Sequence, residues 1–194
     1  MSGVQHELAT ISAAASVHPT AKIWAHAQVR EGAVIGPECI IGIGAYIDSN
    51  VRIGARCKIQ NKALLYEDAE LEDGVFIGPG VILTNDRYPR AVNPDETLKS
   101  AEDWTIGSTR IGRGASVGAG SIILPGLTIG RWALIAAGSL VTRDVPAHAL
   151  VVGSPGSVRG YVCVCARKLD DDLACPDCGR RYREGDDGID MRAQ

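Results

Sequence analysis

The sequence predicts an all-β solenoid of stacked six-residue repeats, and three observations predict it. An aliphatic residue occupies every sixth position from Ile11 to Leu83, thirteen times without a failure, and six more times from Ile111 to Val141. Four residues after these positions stands a small or medium side chain, as at Ala27, Cys39, Ala45, Cys57 and Ser121. The composition agrees: 23 Gly supply tight corners, while one Phe, three Trp and two Met leave the core to aliphatic side chains.

A period of six matches neither the 3.6 of a helix nor simple strand alternation. It matches a short strand followed by a sharp corner. One such unit is too short to bury anything alone, so stacked coils must share a continuous aliphatic column and hydrogen-bond to the coils above and below. With three units per turn a coil takes 18 residues, and the repeats fill about six coils over residues 11–160, after an extension at 1–10. Cys39 and Cys57 fall on the small inward position and read as core thiols.

The charge is mixed, 20 basic against 23 acidic residues for a net of −3, which argues against a nucleic-acid-binding face. No apolar run is long enough to span a membrane, and the first residues carry neither a basic segment nor an apolar signal core. The expectation is a soluble cytoplasmic protein.

The repeat is interrupted once. Leu83 and Ile111 are 28 residues apart where six would suffice, so 22 extra residues leave the solenoid as a loop within 84–110. Long loops on rigid scaffolds carry function or are disordered. Tyr88, Pro89 and Trp104 read as packing anchors, which favours an ordered, functional loop.

Four segments narrow the reading: KIQNKALLY at 58–66, GVFIGPGVILTNDRYPRA at 74–91, TIGRWALIAAGSLVTRDVP at 128–146 and ALVVGSP at 149–155. Together with the repeat, over residues 11–160, they resemble the left-handed parallel β-helix acyltransferases. Within these they are most similar to the acetyltransferases of UDP- or dTDP-linked 3-amino sugars. The resemblance implies acetyl-CoA as donor, a nucleotide-sugar amine as acceptor, and a homotrimer with its sites in grooves between subunits. The left-handed sense comes from the resemblance alone, since parallel crossovers are usually right-handed.

The same resemblance assigns residues. Asn85, of the TN pair that opens the loop, faces the acceptor amine. Asp86 beside it is a proton acceptor, and Arg90 can hold a phosphate or sugar carboxylate. Gln60 and Asn61 match a pair beside the site, although an Asx turn at Asn85 and a corner cap at Asn61 are the plain structural readings. Ala119, Ala136, Ala137 and Gly138 let pantetheine lie close to the backbone, and Arg143, Gly153, Pro155 and Arg159 fall on the coenzyme-binding end. Counting 18 residues per coil stacks Asn61 with Ile43, Pro79, Ala119 and Ala137. Asn85 belongs to a different column, with Glu67 and Pro125, so a site that uses both columns needs two subunits.

Many such enzymes use a histidine base. This chain has only His6, His18, His26 and His148; in IWAHAQV, Ala25 and Gln28 stand where the family often carries histidine, and His26 takes an aromatic's place. His26 is therefore retained for acceptor binding, with an exposed corner histidine as its plain alternative. A neutral amine needs no strong base, whereas O-acylation of a hydroxyl would. The remaining alternatives are a γ-type carbonic anhydrase, which wants three zinc-binding histidines, and a non-enzymatic scaffold.

Beyond Arg159 the repeat stops. YVCVCARKLDDDLACPDCGRRY places Cys163 and Cys165 one residue apart and Cys175 and Cys178 two apart, the latter followed by Gly179. Four thiolates suit a closed, structural zinc site, and a segment as short as 161–194 needs such a staple. In a cytosolic protein metal is the better reading than disulfides. The expectation is a small zinc-ribbon-like segment followed by a polar tail.

Overall fold

The computed structural model describes residues 3–192 and shows the expected solenoid. Two-residue strands recur every six residues and form three parallel sheets, one per face of a triangular coil. The first face carries Lys58–Ile59, the second Leu64–Leu65 and the third Glu70–Leu71. Registry between successive coils is 18 residues, as in Lys58 to Ile40 and Leu64 to Tyr46. Across the insertion it becomes 40, as in Glu70 to Arg110 and Ile82 to Ile122, so the 22 extra residues leave the stack undisturbed.

The second residue of each strand points inward. Ile41, Ile59 and Ile77 are fully buried one above another, and the small positions, including Cys39 and Cys57, are equally closed. Both thiols donate to backbone carbonyls, Cys39 to Gly54 and Cys57 to Glu72. Ser121 and Ser139 occupy the same small column and bridge coils with their hydroxyls.

From His26 to Gly138 each corner of the stack turns through one residue in the left-handed region, and these residues also recur every sixth position outside the loop. Glycine fills many of them, but His26, Lys62 and Trp132 adopt φ of 59°, 57° and 56°. Their side chains project outward from the corner, where no helix or strand interior has to accommodate them.

The stack begins earlier than the aliphatic pattern. Val4–Gln5 pairs in parallel with Lys22–Ile23, so residues 4–10 belong to the first coil rather than to an extension. The first face consequently starts one strand earlier than the aliphatic repeat announces, below Lys22–Ile23. Gln5 holds the position that an aliphatic residue takes elsewhere, which hid the first hexad.

At the other end, Ala149–Val152 continues the first face, and Ser157–Tyr161 folds back antiparallel on it. Beyond it the cysteine segment and a hairpin, Tyr182–Gly185 with Gly188–Met191, form a separate small core of Cys163, Leu169, Cys175, Tyr182 and Ile189. No helix among the described residues is long and apolar enough to cross a membrane.

Candidate functional site

The outward faces differ in chemistry. Along the second face Tyr46, Leu64, Ile82, Ile122 and Leu140 form an unbroken apolar ladder through successive coils. The third face presents Arg52, Glu70 and Arg110, with Arg110 Nε 3.4 Å from Glu70 Oε2.

The loop leaves and rejoins the stack at a pinched neck, where Gly107 N–H donates to the Asn85 carbonyl at 2.8 Å. Asn85 is half-buried there, and its side chain has no hydrogen-bond partner among the described residues. The Asx turn that opens the loop belongs to its neighbour: Asp86 Oδ1 accepts from Tyr88 N–H at 2.8 Å. The loop itself is ordered. Val92 bridges Leu98, and Asn93 and Thr97 close a tight turn. A 3-10 turn, Ala101–Asp103, is held by a capping box from Ser100 to Asp103.

Between loop and neck lies a cleft of about 390 Å³, with Asp86, Arg87, Lys99, Asp103 and Trp104 among its walls and Pro125 at its floor. The Ser100 backbone N–H and hydroxyl hold the Asp103 carboxyl below the usual carboxylate range. Sequence reasoning passed over Lys99 and Asp103, although Ser100 followed three residues later by Asp103 is a legible capping signature. The expected anchors fare unequally: Trp104 is half-buried at the cleft, whereas Tyr88 is 79% exposed and Pro89 is exposed. Tyr88 contributes its backbone N–H to the Asx turn, while its side chain is exposed and does not anchor the loop by burial. Arg90 reaches only its neighbour's carbonyl, Pro89 O, at 3.3 Å, and points into solvent.

The other candidates lie on the edge between the first and second faces. Asn61 caps a corner: its Oδ1 accepts from Ile43 N–H at 2.9 Å, one coil below. Asp73 does the same for Ala55 N–H at 2.8 Å, on the edge between the third and first faces. Higher on the first edge Ala119 and Ala137 replace the capping residue, and their backbone N–H groups have no partner among the described residues. Gly138 and Ala119 are joined by a 2.8 Å backbone bond, Ala136 N–H donates to Val151, and Gly153 N–H is held by Ser139 Oγ at 3.2 Å. Gln60 is half-buried at a strand end on this edge and His26 is exposed at a lower corner of it. Arg143 lies with Asn85 on the opposite edge of the second face, beside a smaller cleft of about 210 Å³ at the C-terminal end. Pro155, in a cis peptide bond, and Arg159 are exposed near that end.

One chain therefore does not gather the expected residues. Gln60, Asn61, His26, Ala119, Ala136, Ala137, Gly138 and Gly153 share one edge; Asn85, Asp86 and Arg143 share the next; the apolar second face separates them. No histidine among the described residues lines the loop cleft. His148, buried at the C-terminal end, has its Nδ1 on Val162 O at 2.9 Å, and burial pushes it below the usual imidazole range.

The four terminal cysteines do come together. Their sulfurs all lie within 4.8 Å of one another, with Cys163 to Cys178 at 3.5 Å and Cys165 to Cys175 at 3.6 Å. None is disulfide-bonded.

Comparison with known proteins identifies the class. The model of the bacterial transferase hexapeptide (six repeats) matches residues 32–67 and 108–143. Nodulation protein L of Rhizobium meliloti is 39% identical over 148 residues, 73% of this chain and 77% of that protein. The chain thus belongs to the hexapeptide-repeat transferases. It is also 46% identical over 84 residues to a dTDP-3-amino-3,6-dideoxy-alpha-D-galactopyranose 3-N-acetyltransferase of Aneurinibacillus thermoaerophilus, a match that covers 42% of this chain and 44% of that protein. The fold is similar to PerB from Caulobacter crescentus, crystallised with CoA and GDP-perosamine, at a TM-score of 0.51 and 24% identity over 82% of this chain and 58% of that one.

Proposed function

We propose that this protein transfers the acetyl group of acetyl-CoA to the amine of a UDP- or dTDP-linked 3-amino sugar. The observation that carries the reading is the 46% identity to a dTDP-3-amino-sugar N-acetyltransferase. The site chemistry supports it. A neutral amine attacks a thioester without a strong base, so the enzyme has chiefly to hold donor and acceptor in line. Asn85, whose amide has no protein partner, orients the amine, and Asp86 takes its proton. The unpartnered N–H of Ala119 or Ala137 stabilises the oxyanion. Gln60, Asn61, Arg90 and His26 hold the acceptor. Ala136, Gly138, Gly153 and Pro155 line the pantetheine path, with Arg143 and Arg159 for the coenzyme's phosphates.

This assignment requires a homotrimer. The donor edge and the loop neck flank the same apolar face, so packing that face against a second copy brings one chain's neck to another's edge. The six free thiols agree with a cytoplasmic, reducing location, and the four terminal ones are read as ligands of a structural zinc ion.

The test is thiol release from acetyl-CoA across a panel of UDP- and dTDP-linked 3-amino and 4-amino sugars, with product masses. A gain of one acetyl group on a 3-amino sugar supports the proposal. Turnover confined to hydroxyl acceptors moves the reading to O-acylation, and absence of coenzyme binding moves it to a scaffold.

A further inference from the structure

The C-terminal segment is built around its sulfurs. Two short turns present them, one from Cys163 to Arg167 and one from Cys175 to Arg180. Both are closed by backbone bonds from the first cysteine's N–H, to Arg167 O and Arg180 O at 2.8 Å each. Each contains one left-handed residue, Ala166 at φ 67° and Gly179 at φ 71°. The four sulfurs stand at contact distances of 3.5 to 3.7 Å where pairs are closest. A tetrahedron of thiolates with metal–sulfur bonds of about 2.3 Å has edges of about 3.8 Å, whereas a disulfide needs about 2.05 Å. The spacing fits the first and is well beyond the second. Apart from the cysteines this small core has only Leu169, Tyr182 and Ile189 fully closed, too little apolar surface to fold the segment unaided.

The segment is also joined to the last coil at several points. Tyr182, fully buried, donates its hydroxyl to Cys163 Sγ at 3.1 Å and accepts from Val164 N–H at 3.0 Å. Its ring stands edge-on to His148 with centroids 5.0 Å apart. Ala147 N–H donates to Asp187 O at 2.8 Å and Ala147 pairs with Gly188, while Arg131 and Asp190 form an ion pair. A Cβ on Gly188 would lie 2.5 Å from Ala147 O, so the hairpin backbone lies directly on the coil. A parallel stack ends in unpaired backbone and an open aliphatic column, and repeat folds need a terminal cap. Here the cap is the cysteine segment.

We propose that Cys163, Cys165, Cys175 and Cys178 bind one zinc ion, and that this zinc module is the cap that holds the C-terminal end of the β-helix in place. The site is structural, because four thiolates leave no coordination position for substrate. Zinc loss therefore loosens residues 147–191 while the coils that hold Ile41, Ile59 and Ile77 stay closed. This inference does not rest on the acetyl-transfer reading, and its test reads metal and backbone protection rather than turnover.

The full-length protein, purified without added metal, is analysed by elemental mass spectrometry and by X-ray absorption at the zinc edge. About one zinc per chain in an all-sulfur, four-coordinate shell is expected. Cys165→Ser and Cys178→Ser, at exposed positions, should each lower zinc content. Wild-type protein stripped with dipicolinate should then exchange amide hydrogen faster over residues 147–191, with residues 22–83 unchanged, and re-added zinc chloride should restore protection. Protein that carries no zinc and takes none up, or cystines at these positions in reduced preparations, overturns the site. Zinc that binds and leaves without altering exchange at 147–191 overturns the cap. Should the serine variants fail to fold, stripping and reloading the wild type decides.

Discussion

Replacing Asn61 separates two jobs that the structure allows it. Its Oδ1 holds Ile43 N–H, and its amide hydrogens remain free for an acceptor. Asp73 serves as the internal control, since it caps Ala55 N–H with the same geometry but on an edge without candidate site residues. Asn61→Ala removes one hydrogen bond from a neutral acceptor, worth about 0.5–1.5 kcal/mol. Asn61 and Ile43 are both exposed, so water replaces the lost partner and the lower half of that range applies. For a chain of this size such a loss lowers Tm by about 1–3 °C. Asp73→Ala should cost somewhat more, because Asp73 also faces Arg56 and Arg113 at 3.7 and 3.8 Å. The two variants should differ in catalysis. If Asn61 also binds the acceptor, its alanine variant loses about tenfold in kcat/KM, the equivalent of about 1.4 kcal/mol. Asp73→Ala should turn over normally. The measurements are thermal unfolding and thiol release from acetyl-CoA with the preferred amino sugar. Equal kcat/KM in the two variants would remove Asn61 from the acceptor site, and an unchanged Tm in both would refute the capping argument itself.

Asn85→Ala should lower kcat by about 10²-fold or more if its amide orients the attacking amine, with Tm unchanged because that side chain holds no protein group; steady-state kinetics beside a melting curve decides. Ile59→Ala, in the middle of the fully buried column, should cost about 2–5 kcal/mol in denaturant unfolding. A cost below about 1 kcal/mol would mean that the neighbouring coils collapse into the space. The buried, neutral His148 sets an acid limb: its folded pKa lies below the ordinary 6.5, so the unfolded chain binds the extra proton first. Stability should therefore hold above about pH 6.5 and fall as pH drops below it, and His148→Gln should flatten that part of the profile.

How much of this was legible follows from which way a side chain points. Inward positions obey the period of six without exception between Ile11 and Leu83, and they alone fix the coil, its 18-residue registry and the core placement of Cys39 and Cys57. The pattern failed at the first coil, where Gln5 is exposed in a place that is aliphatic and buried elsewhere, so packing does not dictate its type. The cysteine cluster was legible for the same reason, since close spacing in sequence forces the sulfurs together in space. Outward positions carry no such constraint. His26, Lys62 and Trp132 sit at left-handed corners that glycine fills elsewhere, and period alone does not distinguish them from one another. The Asx turn likewise fell to Asp86 rather than Asn85, a choice that depends on which carboxylate or amide meets Tyr88 N–H two residues on. A site on this fold is made only of outward groups, so the repeat that dictates the scaffold is silent about the chemistry. The sequence motifs supplied the missing constraint, and they placed their residues on two edges that a single coil keeps apart. That separation is itself informative: an arrangement incoherent within one chain becomes coherent when the apolar ladder of Tyr46, Leu64, Ile82, Ile122 and Leu140 is taken as a surface that meets another copy.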